Sequence, residues 1–248
     1  THTWQGQDTS FNTPGCRTVK QAFDKRIGNL SYFSQGAELY ADNFFEKTRF
    51  LDLQDYNKKL DQVDLVVLCI GEMPSTEKPG DIASLNLNPE QLELAKIAYK
   101  KNKKVILVLL EGRPRIIRDI VDGASAIVQC YLPGDYGADA LVKLIYGEAN
   151  FSGKLPYTYP RFDGVIEFYD HERSVARDNN GGFNAFNPQW EFGFGMSYSQ
   201  IQYNNLELNT HELKEDDQLK VSIEVTNTSS IACKEVVQLY LIDDYASS

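Results

Sequence analysis

The sequence predicts an α/β protein in which helices flank an open, mostly parallel sheet, followed by the start of a β-sandwich. Three apolar runs of strand length carry this prediction, at residues 64–70, 104–110 and 126–132. A segment with helical spacing of apolar residues follows each run, and repeated strand–helix alternation is typical of parallel sheets. This alternation fades after about residue 150.

The first third of the chain contains one helix, one short strand and one long strand in this prediction. Residues 18–27 have apolar side chains at helical spacing, and Gly28 follows as a stop signal. Residues 30–33 predict a short strand. Residues 64–70 are continuously apolar after the first, as expected of a strand covered on both faces of a parallel sheet. The Gly- and Pro-rich stretch GEMPSTEKPGD, residues 71–81, must then be a loop.

Three further helices are predicted after this loop. The first begins at Asn88-Pro89-Glu90 and ends before the basic run KNKK, an arrangement that suits both helix ends. The other two follow the second and third apolar strands, at residues 114–121 and 136–146.

The last third of the chain has a different pattern. Residues 161–189 are rich in Asp, Asn and Gly, whereas residues 219–227 and 235–243 alternate apolar and polar side chains, as half-buried antiparallel strands do. Two or three strands are too few for a stable sheet pair. We therefore expect an α/β domain at 1–160 that lacks its first strand, an irregular linker packed on it at 161–200, and a truncated β-sandwich at 201–248.

Composition excludes several classes of function. The 35 acidic and 25 basic residues give a net charge of −10, which argues against nucleic acid and anionic membranes as partners. The longest apolar runs are far shorter than the roughly 20 residues of a spanning helix. Cysteines and histidines lack metal-ligand spacing, and neither GxGxxG after a strand nor GxxxxGK[ST] occurs. The prediction is a protein without metal or cofactor.

The loop at residues 71–81 is the candidate site, because open α/β sheets bind ligands beyond the carboxyl ends of their strands. It carries the carboxylates Glu72, Glu77 and Asp81. Two interpretations stay open on composition: ordinary solvated acids, or a proton donor whose pKa a partly dry cleft raises above the usual value of about 4.3.

Four motifs in order resemble the C-terminal half of glycoside hydrolase family 3 enzymes, over nearly the whole chain. They are GEMPSTEKPGD, EGRPRII, CYLPGDYGADALVKLIYGEANFSGKLPYTYP and NPQWEFGFGMSYS. The resemblance is to exo-acting β-glucosidases and β-D-glucan glucohydrolases in particular. It implies a retaining β-glycosidase that hydrolyses terminal non-reducing β-D-glucosyl residues of oligo- or polysaccharides.

The resemblance also implies partners and a location. In this family an N-terminal TIM-like barrel supplies the aspartate nucleophile, an α/β sandwich domain supplies the acid/base, and many members add a fibronectin type III-like domain. The barrel would lie outside this chain, which alone should be inactive, and residues 201–248 would begin the fibronectin type III-like domain. A β-linked glucoside or glucan is the implied substrate, and a periplasmic or secreted location is implied by such substrates.

Site residues follow from the same resemblance. Glu77 matches the acid/base, although Ser75 stands where a tyrosine is usual, and Trp4 matches an aromatic that clamps the sugar at subsite +1. Glu72 and Asp81 are expected to order the loop, and Arg113 to donate structural hydrogen bonds. Trp4 as an ordinary core aromatic is the alternative for that residue. A non-catalytic carbohydrate-binding or interaction module of the same fold is the alternative for the chain.

Overall fold

The computed structural model describes residues 12–42, 45–73, 80–164 and 187–241. In chain order, the helices are α1 (Val19–Ile27), α2 (Leu53–Leu60), α3 (Pro89–Lys100), α4 (Arg118–Val121) and α5 (Gly137–Ile145). The strands are β1 (Ala37–Asp42), β2 (Phe45–Phe50), β3 (Leu65–Gly71), β4 (Lys104–Leu110), β5 (Ala126–Gln129), β6 (Ile201–Leu208) and β7 (Val221–Asn227).

A three-stranded parallel sheet in the order β3-β4-β5 forms the centre of the fold. Its strands coincide with the three apolar runs, which confirms the predicted α/β class. The central strand β4 is buried on both faces, with Val105, Leu107 and Val108 fully inaccessible. Strand β3 departs from the prediction of two covered faces, since Leu65 and Cys69 are exposed among the described residues.

The main core lies between one face of this sheet and helices α2, α3 and α4. From the helices come Tyr56 and Leu60, then Leu94, Ala95 and Ala98, then Ile120. Tyr56 satisfies its hydroxyl by donating to the carbonyl oxygen of Leu94 at 2.9 Å. Helices α1 and α5 contact each other through a second, smaller cluster that contains Ala22, Ala138 and Val142. The described residues contain no helix with the length and hydrophobicity of a membrane span.

An antiparallel hairpin of β1 and β2 precedes the parallel sheet, and helix α2 connects the two. The sequence patterns predicted neither the hairpin nor α2, because these three elements are short and strongly polar. The strand predicted at residues 30–33 is wrong: Gly28–Leu30 form a 3₁₀ turn and residues 31–33 are not paired. Leu30 and Tyr32 are accordingly exposed.

Two other predictions need correction. The helix predicted at 114–121 is only the short α4, because Ile116 pairs instead with the segment after the loop, donating to Leu85 and accepting from Leu87. The strand predicted at 235–243 is also wrong for the described part, since residues 235–241 adopt no regular structure.

The C-terminal part contains the antiparallel pair β6–β7, and β7 confirms the strand predicted at 219–227. Apolar side chains on both strands, including Leu206, Ile223 and Val225, are exposed. Before this pair, residues 189–194 run along residues 155–159 and are tied to them by four backbone hydrogen bonds. That segment covers Tyr159, which matters for the site described next.

Candidate active site at the carboxyl edge of the sheet

Strand β3 ends at Gly71, where the chain leaves the sheet toward the loop. Gly71 has a φ of 150°, and a Cβ atom there would lie 2.1 Å from the carbonyl oxygen of Leu110. Only glycine therefore lets β3 pass this close to β4. On the other side, the buried side chain of Gln91 accepts from the Gly71 N–H and donates to its carbonyl, both at 2.8 Å. The amide of Gln91 thus takes the place of a neighbouring strand.

Glu72, the next residue, has a buried carboxylate, with 3% of the side chain exposed. Its Oε1 accepts the backbone N–H groups of Gly112 and Arg113 at 2.9 and 3.0 Å. Its Oε2 accepts from Nε and Nη2 of Arg113 at 2.9 and 2.7 Å, and from Arg115 Nη1 at 3.0 Å. Burial alone would raise the pKa of Glu72, but the hydrogen bonds and charge of Arg113, with Arg115, outweigh it and lower that pKa.

Two charged side chains bind the residues that flank the segment 74–79. At the entry, the N–H of Met73 donates to Glu46 Oε2 at 2.6 Å. At the exit, Nη1 of Arg113 donates to the carbonyl oxygen of Gly80. Glu46 is only 12% exposed and also accepts from the side chain of Asn88 at 3.1 Å.

Glu111 directly follows β4 and is completely buried. Its Oε1 is 2.8 Å from the hydroxyl of Tyr159, and that hydroxyl is 2.7 Å from the carbonyl oxygen of Arg115. Its Oε2 has no hydrogen-bond partner among the described residues. The guanidinium groups of Arg113 and Arg115 pair with Glu72 and Glu46, at N–O distances of 2.7 to 3.5 Å. Burial therefore raises the pKa of Glu111 to about 7.

Asp163 binds the segment 84–86, which follows the loop. Its carboxylate accepts from the hydroxyl of Ser84, from the N–H of Leu85 at 3.0 Å and from the side chain of Asn86 at 3.1 Å. The bonds from Ser84 and Leu85 lower the pKa of Asp163. Segment 84–87 then continues into its pairing with Ile116.

The structure describes only some of the predicted site residues. Glu77 and Trp4 lie outside the described residues. Arg113 has the hydrogen-bonding role predicted for it, since it donates to Glu72 and to Gly80. Glu72 bonds to residues 112–115, and its role in ordering the loop stays a prediction. The role of Asp81 in ordering the loop stays a prediction.

Sequence reasoning missed Glu46, Arg115, Glu111 and Tyr159. Glu111 and Arg115 did carry a signal, since both stand in EGRPRII directly after β4, at the same sheet edge as the loop. Glu46 carried none, because the hairpin that brings it to the loop was not predicted. No group of His, Cys, Asp and Glu in the described ranges is arranged to hold a metal ion.

Comparison with known proteins gives the class of this chain. The model of the glycosyl hydrolase family 3 C-terminal domain matches residues 2–198. A β-xylosidase of Formosa agariphila is 36% identical over 188 residues, covering 74% of this chain and 26% of that protein. A lysosomal β-glucosidase of Dictyostelium discoideum is 34% identical over 195 residues, covering 74% and 23%. A periplasmic β-glucosidase of Salmonella typhimurium is 27% identical over 257 residues, covering 93% and 34%.

Solved structures agree with this class. A β-glucosidase of Listeria innocua in complex with glucose has a TM-score of 0.66 at 27% identity, covering 73% of this chain and 27% of its own. A β-glucosidase of Erythrobacter marinus has a TM-score of 0.70 at 27% identity, covering 85% and 31%. The sheet and its edge therefore belong to a glycoside hydrolase domain. This chain is a member of glycosyl hydrolase family 3 and contains that family's C-terminal domain. It spans about a quarter to a third of the length of the relatives named here.

Proposed function

We propose that this chain is the acid/base-bearing part of a retaining, exo-acting β-glycosidase of the β-glucosidase type, with Glu77 as the acid/base. The observation that carries the proposal is that both ends of the segment containing Glu77 are held at the carboxyl edge of the sheet, by Glu46 and Arg113. A loop that needed no fixed position would gain nothing from two partly buried charged contacts, which are costly to assemble.

The proposed reaction is a double displacement with retention of configuration. An aspartate from a barrel outside this chain attacks the anomeric carbon while protonated Glu77 gives its proton to the departing glycosidic oxygen. The product of this step is a glycosyl ester of the aspartate. Ionised Glu77 then takes a proton from water, which attacks the anomeric carbon and releases both the sugar and the aspartate. The two carboxyl groups must lie about 5 to 5.5 Å apart, so the loop has to face the barrel.

The substrate proposed is a β-linked glucoside or glucan, cleaved at its terminal non-reducing β-D-glucosyl residue. Relatives named both β-glucosidase and β-xylosidase support a β-linked glycone. Trp4 is proposed to stack on the sugar at subsite +1, where an indole face suits the C–H face of a pyranose.

The remaining organisation is part of the same proposal. The chain is divided into the α/β domain at 1–160, a linker packed on it at 161–200, and the start of a fibronectin type III-like domain at 201–248. The antiparallel pair β6–β7, whose apolar side chains are exposed, supports a sandwich that further strands would complete. Extended glucan substrates favour a periplasmic or secreted enzyme.

The test uses Glu77→Ala in the enzyme that joins this chain to its barrel. With an activated 2,4-dinitrophenyl β-glucoside, formation of the glycosyl ester needs no proton, whereas its hydrolysis has lost the base. Azide attacks the ester without a base and displaces the aspartate. We therefore expect added azide to restore turnover and to yield β-glucosyl azide, detected by NMR or mass spectrometry.

Asp81→Asn is the matched control, because it removes a second carboxylate of the same loop. It should give glucose and no azide product. Formation of the azide by Asp81→Asn instead of Glu77→Ala would assign the acid/base to Asp81, and its absence from both variants would refute an acid/base on this loop.

A further inference from the structure

We propose that Glu46 and Arg113 are positioning residues for the acid/base, because each holds one end of the segment 74–79 on which Glu77 lies. The inference rests on the function proposed above and adds to it two residues that come from different parts of the fold. Glu46 belongs to the hairpin strand β2, whereas Arg113 follows the central strand β4.

Arg113 fixes the exit of the segment through the planar geometry of its guanidinium. Nε and Nη2 both donate to Glu72 Oε2, which is buried and cannot turn away. Anchoring that edge of the plane sets the direction of Nη1, which donates to the carbonyl oxygen of Gly80. A lysine has a single ammonium group and cannot hold both partners in this geometry.

Glu46 fixes the entry through both of its carboxylate oxygens. Oε2 accepts from the Met73 N–H at 2.6 Å, and Oε1 accepts from the Asn88 side chain at 3.1 Å. Arg115 adds a charge at 3.5 Å. A glutamine here has only one acceptor oxygen, so one of these two donors would face an NH₂ group.

Displacement of the segment should affect proton donation specifically. The groups that bind the sugar in subsite −1 are proposed to lie on the barrel, so moving Glu77 leaves them in place. A misplacement of about 1 Å costs a catalytic group roughly 100-fold in rate. Cleavage of phenyl β-glucoside needs the proton, whereas cleavage of 2,4-dinitrophenyl β-glucoside does not.

The experiment measures kcat/KM for both substrates with Arg113→Lys and Glu46→Gln, in the enzyme that joins this chain to its barrel. We expect a loss of about 10- to 100-fold on phenyl β-glucoside and less than about 3-fold on 2,4-dinitrophenyl β-glucoside. A residue with only a structural role would lower both values together.

The hairpin supplies matched controls. Nε and Nη2 of Arg49 donate to Glu38 Oε2 at 2.9 and 2.7 Å, the same geometry as the Arg113–Glu72 pair, but at an exposed position. Arg49→Lys and Glu38→Gln should leave the ratio of the two kcat/KM values unchanged. Thermal unfolding of each variant reports whether it folds, and Glu46→Gln decides the question if Arg113→Lys does not.

Equal losses on the two substrates, or no loss on either, would overturn the inference. Glu77→Gln measured in parallel separates this result from the proposed function. If Glu77→Gln discriminates strongly between the substrates while Arg113→Lys and Glu46→Gln do not, only the positioning role fails. If Glu77→Gln does not discriminate, the acid/base assignment fails and the positioning role fails with it.

Discussion

The surroundings of Glu111 favour the neutral form of its carboxyl group. The hydroxyl of Tyr159 has one hydrogen but lies within bonding distance of two oxygens, Glu111 Oε1 and the carbonyl of Arg115. A neutral Glu111 resolves this, because it can donate to Tyr159 while Tyr159 donates to the carbonyl. The described residues offer Glu111 hydrogen bonds but no ion pair, in agreement with its pKa of about 7.

Stability should therefore depend on pH through Glu111. The pKa is about 7 in the folded chain and near its ordinary value of 4.5 after unfolding, so the folded state holds the proton more tightly. The proton bound to Glu111 stabilises the folded state by about 3 kcal/mol below pH 4.5. This contribution is lost as the pH rises through 7. Relative to wild type, the free energy of unfolding of Glu111→Gln should rise by that amount between pH 4.5 and 8.

Urea unfolding of both proteins across this pH range measures the effect. Glu93→Gln, at a half-exposed position of α3, is the control and should follow wild type. A constant difference between Glu111→Gln and wild type over the range would show that Glu111 does not titrate there.

At the scale of elements, one side chain from α3 pairs with Gly71 on the edge of β3 where no described strand lies. Gln91 makes both backbone hydrogen bonds of Gly71 that a neighbouring strand would make. Gln91→Met preserves size but leaves a buried N–H and a buried carbonyl unpaired. We expect a loss of about 1 to 3 kcal/mol per group in the free energy of unfolding, measured by urea denaturation.

Lys96→Met, on the same helix, is the control for the loss of a polar side chain, and it should change stability by less than about 0.5 kcal/mol. If Gln91→Met unfolded at the same urea concentration as wild type, the pairing with Gly71 would make no net contribution to the free energy of unfolding.

The elements that sequence could predict are those whose signal is local. The apolar runs of β3, β4 and β5 are long and bounded by turn residues, and α1 has a capping box in which Thr18 and Gln21 bond each other's backbone N–H groups. The strand expected at residues 30–33 was wrong because a strand exists only when paired, and no described segment pairs with it. The hairpin was missed because its polar residues lack strict alternation.

The same distinction applies to the site. The loop with Glu72, and Arg113 after β4, could be predicted because they lie in recognisable sequence motifs. The contact of Glu46 with Met73 joins residues far apart in sequence and depends on how the hairpin packs, which no local pattern records.

At the scale of the whole molecule, the proposed active site forms only between two domains. In the proposed function Glu77 of this chain is the acid/base and a barrel supplies the nucleophile, so we expect no measurable hydrolysis of 4-nitrophenyl β-glucoside by this chain alone. Addition of the barrel should restore turnover. Barrel combined with the Glu77→Gln chain is the control and should remain nearly inactive. Turnover by the isolated chain that Glu77→Gln abolishes would contradict the two-domain site.

We expect the contacts on either side of the segment 74–79 to form late during refolding. Met73 reaches Glu46 across 27 residues and Arg113 reaches Glu72 across 41, so the first contact requires the hairpin in place and the second requires β4 in place. Contacts of such separation form late because chain closure must precede them. In a refolding time course, helical signal should return first and glycosidase activity last. The enzyme would then stay inactive until this domain is fully assembled, so no half-folded form would hydrolyse glycosides.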